Sequence, residues 1–237
     1  MPDGIQPHDH AHRSRVTDRL VAAWRDLHGE NLLAVASTAS YARGDDRAYS
    51  DLELIVFLRE LEKVPDNRYF QRIHEGMLIE VEYTTEERYL DAWRNVTAEW
   101  FLAGSAPLVP VTNPKAVDRI LRRRDAHPPD PEKLRACAAG CLAETQETFC
   151  KVLNALEQDN RESIGLLYAD AVFACLRQLA PLTRRPYTTL ARAIPESRGF
   201  ARLPERHEDF LAVMIEGRFS DTAFIRSVLL DVYGDLE

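Results

Sequence analysis

The chain of 237 residues contains only four cysteines, and no two of them form a Cys-x-x-Cys pair. The sequence therefore does not favour a zinc site, and buried free thiols in a reducing cytoplasm are expected. No apolar run approaches the length that crosses a bilayer, and the first residues lack the apolar stretch of a signal peptide. We accordingly expect no membrane association and a cytoplasmic location.

Positive charge is also in the minority, because the chain has 30 lysines and arginines but 38 aspartates and glutamates, which gives a net charge of −8. Nonspecific nucleic-acid binding relies on Lys and Arg to neutralise phosphates, so nucleic acid is not an expected partner. An acidic cleft instead suits a small polycationic substrate. The hydrophobic fraction of 45% is normal for a globular chain of one or two domains.

Residues 38–53 form the most informative stretch, because they lie between two apolar runs and predict a strand, a turn and a strand. Ser40 and Arg43 belong to the turn. Asp51 and Glu53 are two residues apart at the start of the second strand, so their carboxylates point to the same side. Mg²⁺ prefers such hard oxygen ligands together with substrate phosphates. The alternative is an ordinary hairpin with solvated charges at its end.

A third strand is predicted at residues 77–83 after a polar connection that begins at Arg59. Its Glu80 and Glu82 share one face, opposite the apolar residues. One interpretation is a half-buried strand whose polar face meets water. The other makes Glu80 a third carboxylate of the metal site or a general base.

The remaining pattern predicts two domains. Residues 1–14 are polar, with three histidines, and are expected to form a flexible tail rather than a transition-metal site. The proline-rich residues 127–131 mark a boundary, with a catalytic domain at 1–126 and a helical domain at 127–237. In the first domain we predict helices at 17–28, 85–96 and 114–124 and a short strand at 108–111, with a Thr84-x-x-Glu87 capping box. In the second we predict helices near 132–158, 161–180, 188–194, 205–216 and 221–233.

The turn and its acids resemble the nucleotidyltransferase superfamily that includes DNA polymerase β. The motif of that superfamily is Gly-Ser, a short loop, and then Asp-x-Asp or Asp-x-Glu. This chain has Ala39-Ser40 in the first part and Asp51-x-Glu53 in the second. The superfamily takes its third acid from a strand in the place of Glu80. The resemblance implies an α/β catalytic domain with a mixed sheet and flanking helices, followed here by an all-α helical bundle.

Over most of its length the chain is more specifically similar to the aminoglycoside 4′-O-nucleotidyltransferases. The matching pieces follow in family order: Tyr49 to Glu53, Glu80-Val81, Glu86-Glu87, Glu99-Trp100, Glu147-x-x-x-Lys151, Pro186 to Thr189, and Phe210-Leu211 through Gly217 to Asp221. This family uses Mg²⁺ with ATP or another nucleoside triphosphate to place a nucleoside monophosphate on the 4′-hydroxyl of aminoglycosides such as kanamycin and tobramycin. The modified antibiotic binds the ribosome poorly, which gives resistance. The family works as a homodimer with shared active sites.

The resemblance also assigns roles to single residues. Asp51 and Glu53 match the metal ligands, and Glu147 matches the general base. The nucleotide-binding residues implied by the resemblance are Ser40, Arg43, Ser50, Lys151 and Thr189. Glu80 and Glu144 would face the amines of the aminoglycoside or the metal ion. Without the resemblance, Glu144, Glu147 and Lys151 suggest only a surface ion pair on one helix face.

Two other hypotheses remain open at this point. The acceptor of the nucleotidyl group could be different, for instance a lincosamide or a protein hydroxyl. The chain could also be a catalytically silent nucleotidyltransferase-like binding protein, although the presence of Asp51, Glu53 and Glu147 favours an enzyme.

Overall fold

The structure is a computed structural model that describes residues 4–61, 68–102 and 107–237. Within these residues the chain divides into two compact units. The first contains residues 4–61, 68–94 and 107–128, and the second contains residues 95–102 and 129–237. The sequence places its boundary between residues 126 and 127, and it assigns residues 95–102 to the first domain.

The first unit contains a five-stranded mixed sheet in the order β3-β4-β2-β1-β5. The strands are β1 (Leu32–Ser37), β2 (Leu52–Leu58), β3 (Tyr69–His74), β4 (Met77–Thr84) and β5 (Val109–Pro110). β2 is parallel to β4, and the other neighbouring strands are antiparallel. The predicted mixed sheet is therefore confirmed. β3 was not predicted, because its residues fall in the stretch that we interpreted as a polar connection.

Helices cover both faces of this sheet. They are α1 (His10–His28), α2 (Ala39–Arg43), α3 (Glu86–Arg94) and α4 (Pro114–Ala126). α1 packs with the buried side chains of Leu52 and Leu54, whereas α4 packs with Phe57. Side chains alternate along a strand, so Glu53 lies on the face opposite Leu52 and Leu54. The acidic side chain of β2, Glu53, therefore belongs to the face that does not pack on α1.

The first helix begins earlier than predicted. α1 starts at His10, because Asp9 caps it by accepting a hydrogen bond from the His12 amide at 2.7 Å. Residues 10–14 therefore lie in a helix and not in a tail. The capping threonine of α3 also differs from the prediction, since the amide of Arg88 donates to the hydroxyl of Thr85 at 3.3 Å.

The second unit is helical, as predicted. Its helices are α5 (Pro131–Glu157), α6 (Ile164–Thr183), α7 (Leu190–Ser197), α8 (His207–Ile215) and α9 (Thr222–Leu236), and residues Ala98–Leu102 form a 3-10 helix. Aromatic rings fill the core between them. The ring of Phe210 lies 5.4 Å from that of Phe149 and 5.3 Å from that of Tyr168. The Tyr168 hydroxyl donates to the Phe210 carbonyl at 3.0 Å, which satisfies the buried polar group.

One expectation drawn from scarcity, the burial of the cysteines, needs correction, and the expected lack of membrane association stays a prediction. α6 has 20 residues and contains an apolar window of 18 residues with a mean hydropathy of 1.2, so by length and composition it could cross a membrane. Core helices of other proteins meet the same criterion, and 61% of the apolar window is buried inside this protein. All four cysteines are free thiols, but Cys150 is exposed and Cys137 is half-buried, so only two of them are buried.

Candidate active site

Three carboxylates form a cluster on the sheet of the first unit. Asp51 immediately precedes β2, and Glu53 lies two residues further along that strand. Glu53 is paired in register with Glu80 of the parallel strand β4. One oxygen from each of the three side chains lies within 4.8 Å of the others. The parallel pairing of β2 and β4 thus brings together the two predicted metal ligands and the predicted third acid.

The charge of this cluster is not balanced. Burial, followed by the negative charges of Asp51 and Glu80, raises the pKa of Glu53 to about 7, while the charge of Arg43 acts in the opposite direction. Neighbouring like charges and a low dielectric both oppose ionisation of a carboxyl group. A divalent cation among these oxygens would supply the missing positive charge. The hard oxygen donors present here fit Mg²⁺.

Two side chains of β3 hold the third carboxylate in place. The Tyr69 hydroxyl donates to Oε2 of Glu80 at 2.9 Å, and the Gln71 side-chain amide donates to Oε1 of Glu80. Gln71 also donates to the Tyr69 hydroxyl at 2.6 Å. Burial and the hydrogen bond to Glu80 raise the pKa of Tyr69 to about 12, so the hydroxyl keeps its proton. The sequence analysis missed both residues, because residues 69–74 show no clear alternation of apolar and polar side chains.

Ala39 has a backbone conformation that favours glycine. Its φ is 56°, in the left-handed region, where a Cβ atom is disfavoured and glycine is not. Ala39 is also buried. The amide of Thr38, just before it, donates to the Glu53 carbonyl at 3.1 Å. The strained residue is therefore attached to β2 next to the acidic cluster, and the strain costs about 1–2 kcal/mol.

Ser40 is the second residue and Arg43 the last residue of the short helix α2. Nε of Arg43 donates to both carboxylate oxygens of Asp45, at 3.2 and 3.3 Å. Its Nη1 is buried and has no hydrogen-bond partner within the described part of the chain. A buried donor without a partner is costly, and a phosphate oxygen would satisfy it well. Ser40 is half-buried, with its backbone carbonyl accepting from the Asp45 amide at 3.1 Å.

Ser50 lies in the loop that leads to Asp51. Its hydroxyl accepts a hydrogen bond from the Arg47 amide at 2.9 Å, so this side chain stabilises its own turn. Ser50 and Asp51 also line a cleft of about 190 Å³. The other residues of the cleft are Ile5, Gln6, His8, Tyr49, Gly76, Met77 and Leu78. The N-terminal segment thus forms one wall of a cleft beside the acidic cluster.

The remaining predicted site residues belong to the second unit. Nζ of Lys151 lies 2.8 Å from Oε1 of Glu147 on α5, with exposed fractions of 48% and 67%. The hydrogen bond from Lys151 lowers the pKa of Glu147, and the same bond raises the pKa of Lys151. Glu144 is instead bound by Arg177 of α6, whose Nη1 lies 2.7 Å from its Oε1. Thr189 immediately precedes α7 and does not cap it with its side chain.

The structure therefore groups the predicted residues within each unit. Asp51, Glu53 and Glu80 come together in the first unit, and the charge of Arg43 acts on Glu53 there. Glu147 and Lys151 come together in the second. Their catalytic and binding roles remain predictions.

No protein-family model matches the chain, and no curated protein matches it. Among solved structures the chain is similar to a nucleotidyltransferase-like protein from Exiguobacterium sibiricum. The identity is 12% and the TM-score 0.48, over 92% of this chain and 72% of that one. At these values the similarity does not establish a shared activity.

Proposed function

We propose that this chain is a nucleotidyltransferase that transfers AMP, or another nucleoside monophosphate, from a nucleoside triphosphate to the 4′-hydroxyl of an aminoglycoside. The observation that supports the transfer reaction is the cluster of Asp51, Glu53 and Glu80, with the charge of Arg43 acting on it. The aminoglycoside is supported by the sequence resemblance and by the net charge of −8, which attracts a polycationic acceptor. The role of such an enzyme would be antibiotic resistance.

The three carboxylates would hold Mg²⁺, which when bound would neutralise charge on the triphosphate and on departing pyrophosphate. Arg43 has a donor ready for a phosphate oxygen, because its buried Nη1 has no partner among the described residues. Ser40, Ser50 and Thr189 carry hydroxyl groups that could donate to further phosphate oxygens. These residues would fix the triphosphate so that its α-phosphorus faces the acceptor.

The second unit would supply the proton acceptor. In the proposed step the 4′-oxygen of the acceptor attacks the α-phosphorus, the bond from this phosphorus to the bridging oxygen breaks, and pyrophosphate leaves. Glu147 accepts the proton that the 4′-hydroxyl loses. Lys151 stabilises the negative charge that develops on pyrophosphate.

The ion pair between Glu147 and Lys151 suits these two roles. In the free protein Lys151 lowers the pKa of Glu147, which keeps the carboxylate ionised and weakens it as a base. A triphosphate that attracts the Lys151 ammonium would remove this hydrogen bond, so Glu147 would become a stronger base when the co-substrate is bound. Both side chains are exposed and therefore accessible to a ligand or to a second subunit. We propose a homodimer in which each site uses both subunits, as the resemblance implies.

Mass spectrometry tests the proposed reaction. Kanamycin and tobramycin are incubated with the protein, Mg²⁺ and each of the common nucleoside triphosphates, with Asp51→Asn as the matched inactive variant. We expect a mono-AMP adduct whose fragmentation places the modification at the 4′ position. An aminoglycoside that lacks the 4′-hydroxyl should remain unmodified.

The outcomes separate the competing functions. An adduct on the analogue without a 4′-hydroxyl would contradict the assigned position. Transfer to a lincosamide or to a protein hydroxyl, without any aminoglycoside adduct, would keep the nucleotidyl transfer and overturn the acceptor. A folded protein that binds no nucleoside triphosphate in the presence of Mg²⁺ would contradict the enzyme hypothesis.

A further inference from the structure

Arg13 of α1 is a buried cation that the sequence analysis did not single out. It is fully buried, and its side chain is paired with Asp46, which is only 3% exposed. All three nitrogens of its guanidinium group donate hydrogen bonds. The acceptors are the carbonyl oxygens of His8 (3.0 Å), Arg47 (2.8 Å), Ala48 (3.3 Å) and Ser50 (2.7 and 3.2 Å), and Oδ2 of Asp46 (3.1 Å).

Four of these five acceptors belong to residues 46–50, the loop between α2 and β2. Two of the hydrogen bonds end on the carbonyl of Ser50, which belongs to the peptide group that leads into Asp51. The other oxygen of Asp46 lies 2.7 Å from Nδ1 of His10. The first turn of α1 is thus attached to the loop at both oxygens of Asp46 and at three carbonyl groups.

A lysine could not replace this group. The guanidinium is planar and presents five donors in a fixed arrangement, whereas an ammonium has three donors around one point. A buried charged group also contributes little net stability compared with an apolar residue of similar volume. Fixing the carbonyl of Ser50 fixes the position of the next residue, and a metal ligand loses affinity when the groups that orient it are removed.

We propose that Arg13 is a positioning residue, which holds the loop of residues 46–50 so that Asp51 is presented to Glu53 and Glu80. The inference rests on the proposed function insofar as Asp51 is a metal ligand of a nucleotidyltransferase. It goes beyond that function by assigning the geometry of the metal site to a buried residue of α1. Arg13 acts on Asp51 through the carbonyl of Ser50.

The test compares Arg13→Lys with the wild-type protein and with Arg19→Lys. Arg19 is an exposed α1 residue paired at 2.7 Å with Glu75, in the turn between β3 and β4, so its variant controls for a lost contact between α1 and this turn. Mn²⁺ binding is measured by electron paramagnetic resonance, thermal unfolding is followed by circular dichroism, and kcat and KM are measured separately. We expect Arg13→Lys to remain folded, to bind Mn²⁺ about tenfold more weakly and to lose kcat more than nucleotide affinity. Arg19→Lys should match the wild type.

If Arg13→Lys does not fold, Asp46→Asn replaces it, because this change weakens the ion pair and leaves the carbonyl acceptors in place. The expected loss of Mn²⁺ affinity is then about threefold. Wild-type Mn²⁺ affinity in a folded variant would overturn the inference and leave the proposed function intact. If the wild type binds Mn²⁺ but transfers no nucleotide, the proposed function is refuted. Weaker Mn²⁺ binding by the variant would still uphold the role of Arg13. A wild type without Mn²⁺ binding would overturn both.

Discussion

Binding of Mg²⁺ should release a proton from Glu53, and its strength should therefore depend on pH. Burial together with the charges of Asp51 and Glu80 raises the pKa of Glu53 to about 7 in the free protein. A carboxylate must lose its proton to coordinate a metal ion. At pH 5.5 about 3% of Glu53 would be ionised, and at pH 8 about 90%, as a single site with this pKa requires. The apparent dissociation constant should thus be about 30-fold higher at pH 5.5 than at pH 8.

Isothermal titration calorimetry measures both the affinity for Mg²⁺ and the number of protons released on binding. Titrations at pH 6 in two buffers with different ionisation enthalpies should show release of about 0.9 proton for each Mg²⁺ bound, and those at pH 8 about 0.1. Glu53→Gln is the control, because it removes the titrating group and keeps nearly the same volume. The variant should bind Mg²⁺ weakly, with almost no pH dependence in this range. A dissociation constant that changes less than threefold between pH 5.5 and pH 8 in the wild type would refute the reasoning.

The raised pKa of Glu53 also determines how the stability of the metal-free fold depends on pH. The folded protein binds the proton of Glu53 more tightly than the unfolded chain, where the pKa is close to 4.5. The stabilisation from this group is therefore fully present below pH 4.5 and is lost as the pH rises through about 7. Mg²⁺ should raise the melting temperature more at pH 8 than at pH 5.5, because only the ionised carboxylate binds it.

Three further substitutions test the site. Glu147→Gln should fold normally and still bind ATP with Mg²⁺, yet lose about 10²–10⁴-fold in kcat, and turnover like that of the wild type would remove Glu147 from the mechanism. Asp51→Asn should abolish Mg²⁺-dependent turnover in a steady-state assay, whereas a fully active variant would contradict the metal assignment. Ala39→Gly should relieve about 1–2 kcal/mol of backbone strain in the folded protein. Glycine also raises the conformational entropy of the unfolded chain, which lowers the free energy of unfolding by about 0.4–1 kcal/mol. The expected rise in melting temperature is about 1–3 °C by calorimetry, and a fall would mean that the φ of 56° is not strained.

Sequence periodicity predicted most of the fold, because the long helices and the central strands have clear apolar patterns. α5 and α6 begin and end within a few residues of the predicted bounds. β3 was missed because an edge strand with exposed side chains shows little apolar contrast; Tyr69 and Ile73 are 48% and 43% exposed. The start of α1 was missed because its first turn is polar, and its cap depends on Asp9.

From spacing alone, the candidate site was predictable only where residues near in sequence share a strand or a helix, whereas Glu80 was assigned through the resemblance to the superfamily. Asp51 with Glu53, and Glu147 with Lys151, follow from spacing alone. Arg13 and Tyr69 act on residues 37 and 11 positions away, and no local pattern indicates such hydrogen bonds. The salt bridge from Arg177 to Glu144 joins two helices in the same way. Glu144 therefore already has a cation as its partner, which weakens it as a partner for the amines of a substrate.

The hydrogen bonds around the acidic cluster leave most of its negative charge uncompensated. Glu80 is held by Tyr69 and Gln71, whose neutral donors fix the carboxylate without cancelling its charge. Arg13 is a cation, but its charge is already paired with Asp46, and it reaches the cluster only through a backbone carbonyl. The remaining negative charge raises the pKa of Glu53 and makes the metal-free site costly near neutral pH. The pKa of Glu53 stays raised although the charge of Arg43 acts on it, so the arrangement favours binding of a divalent cation.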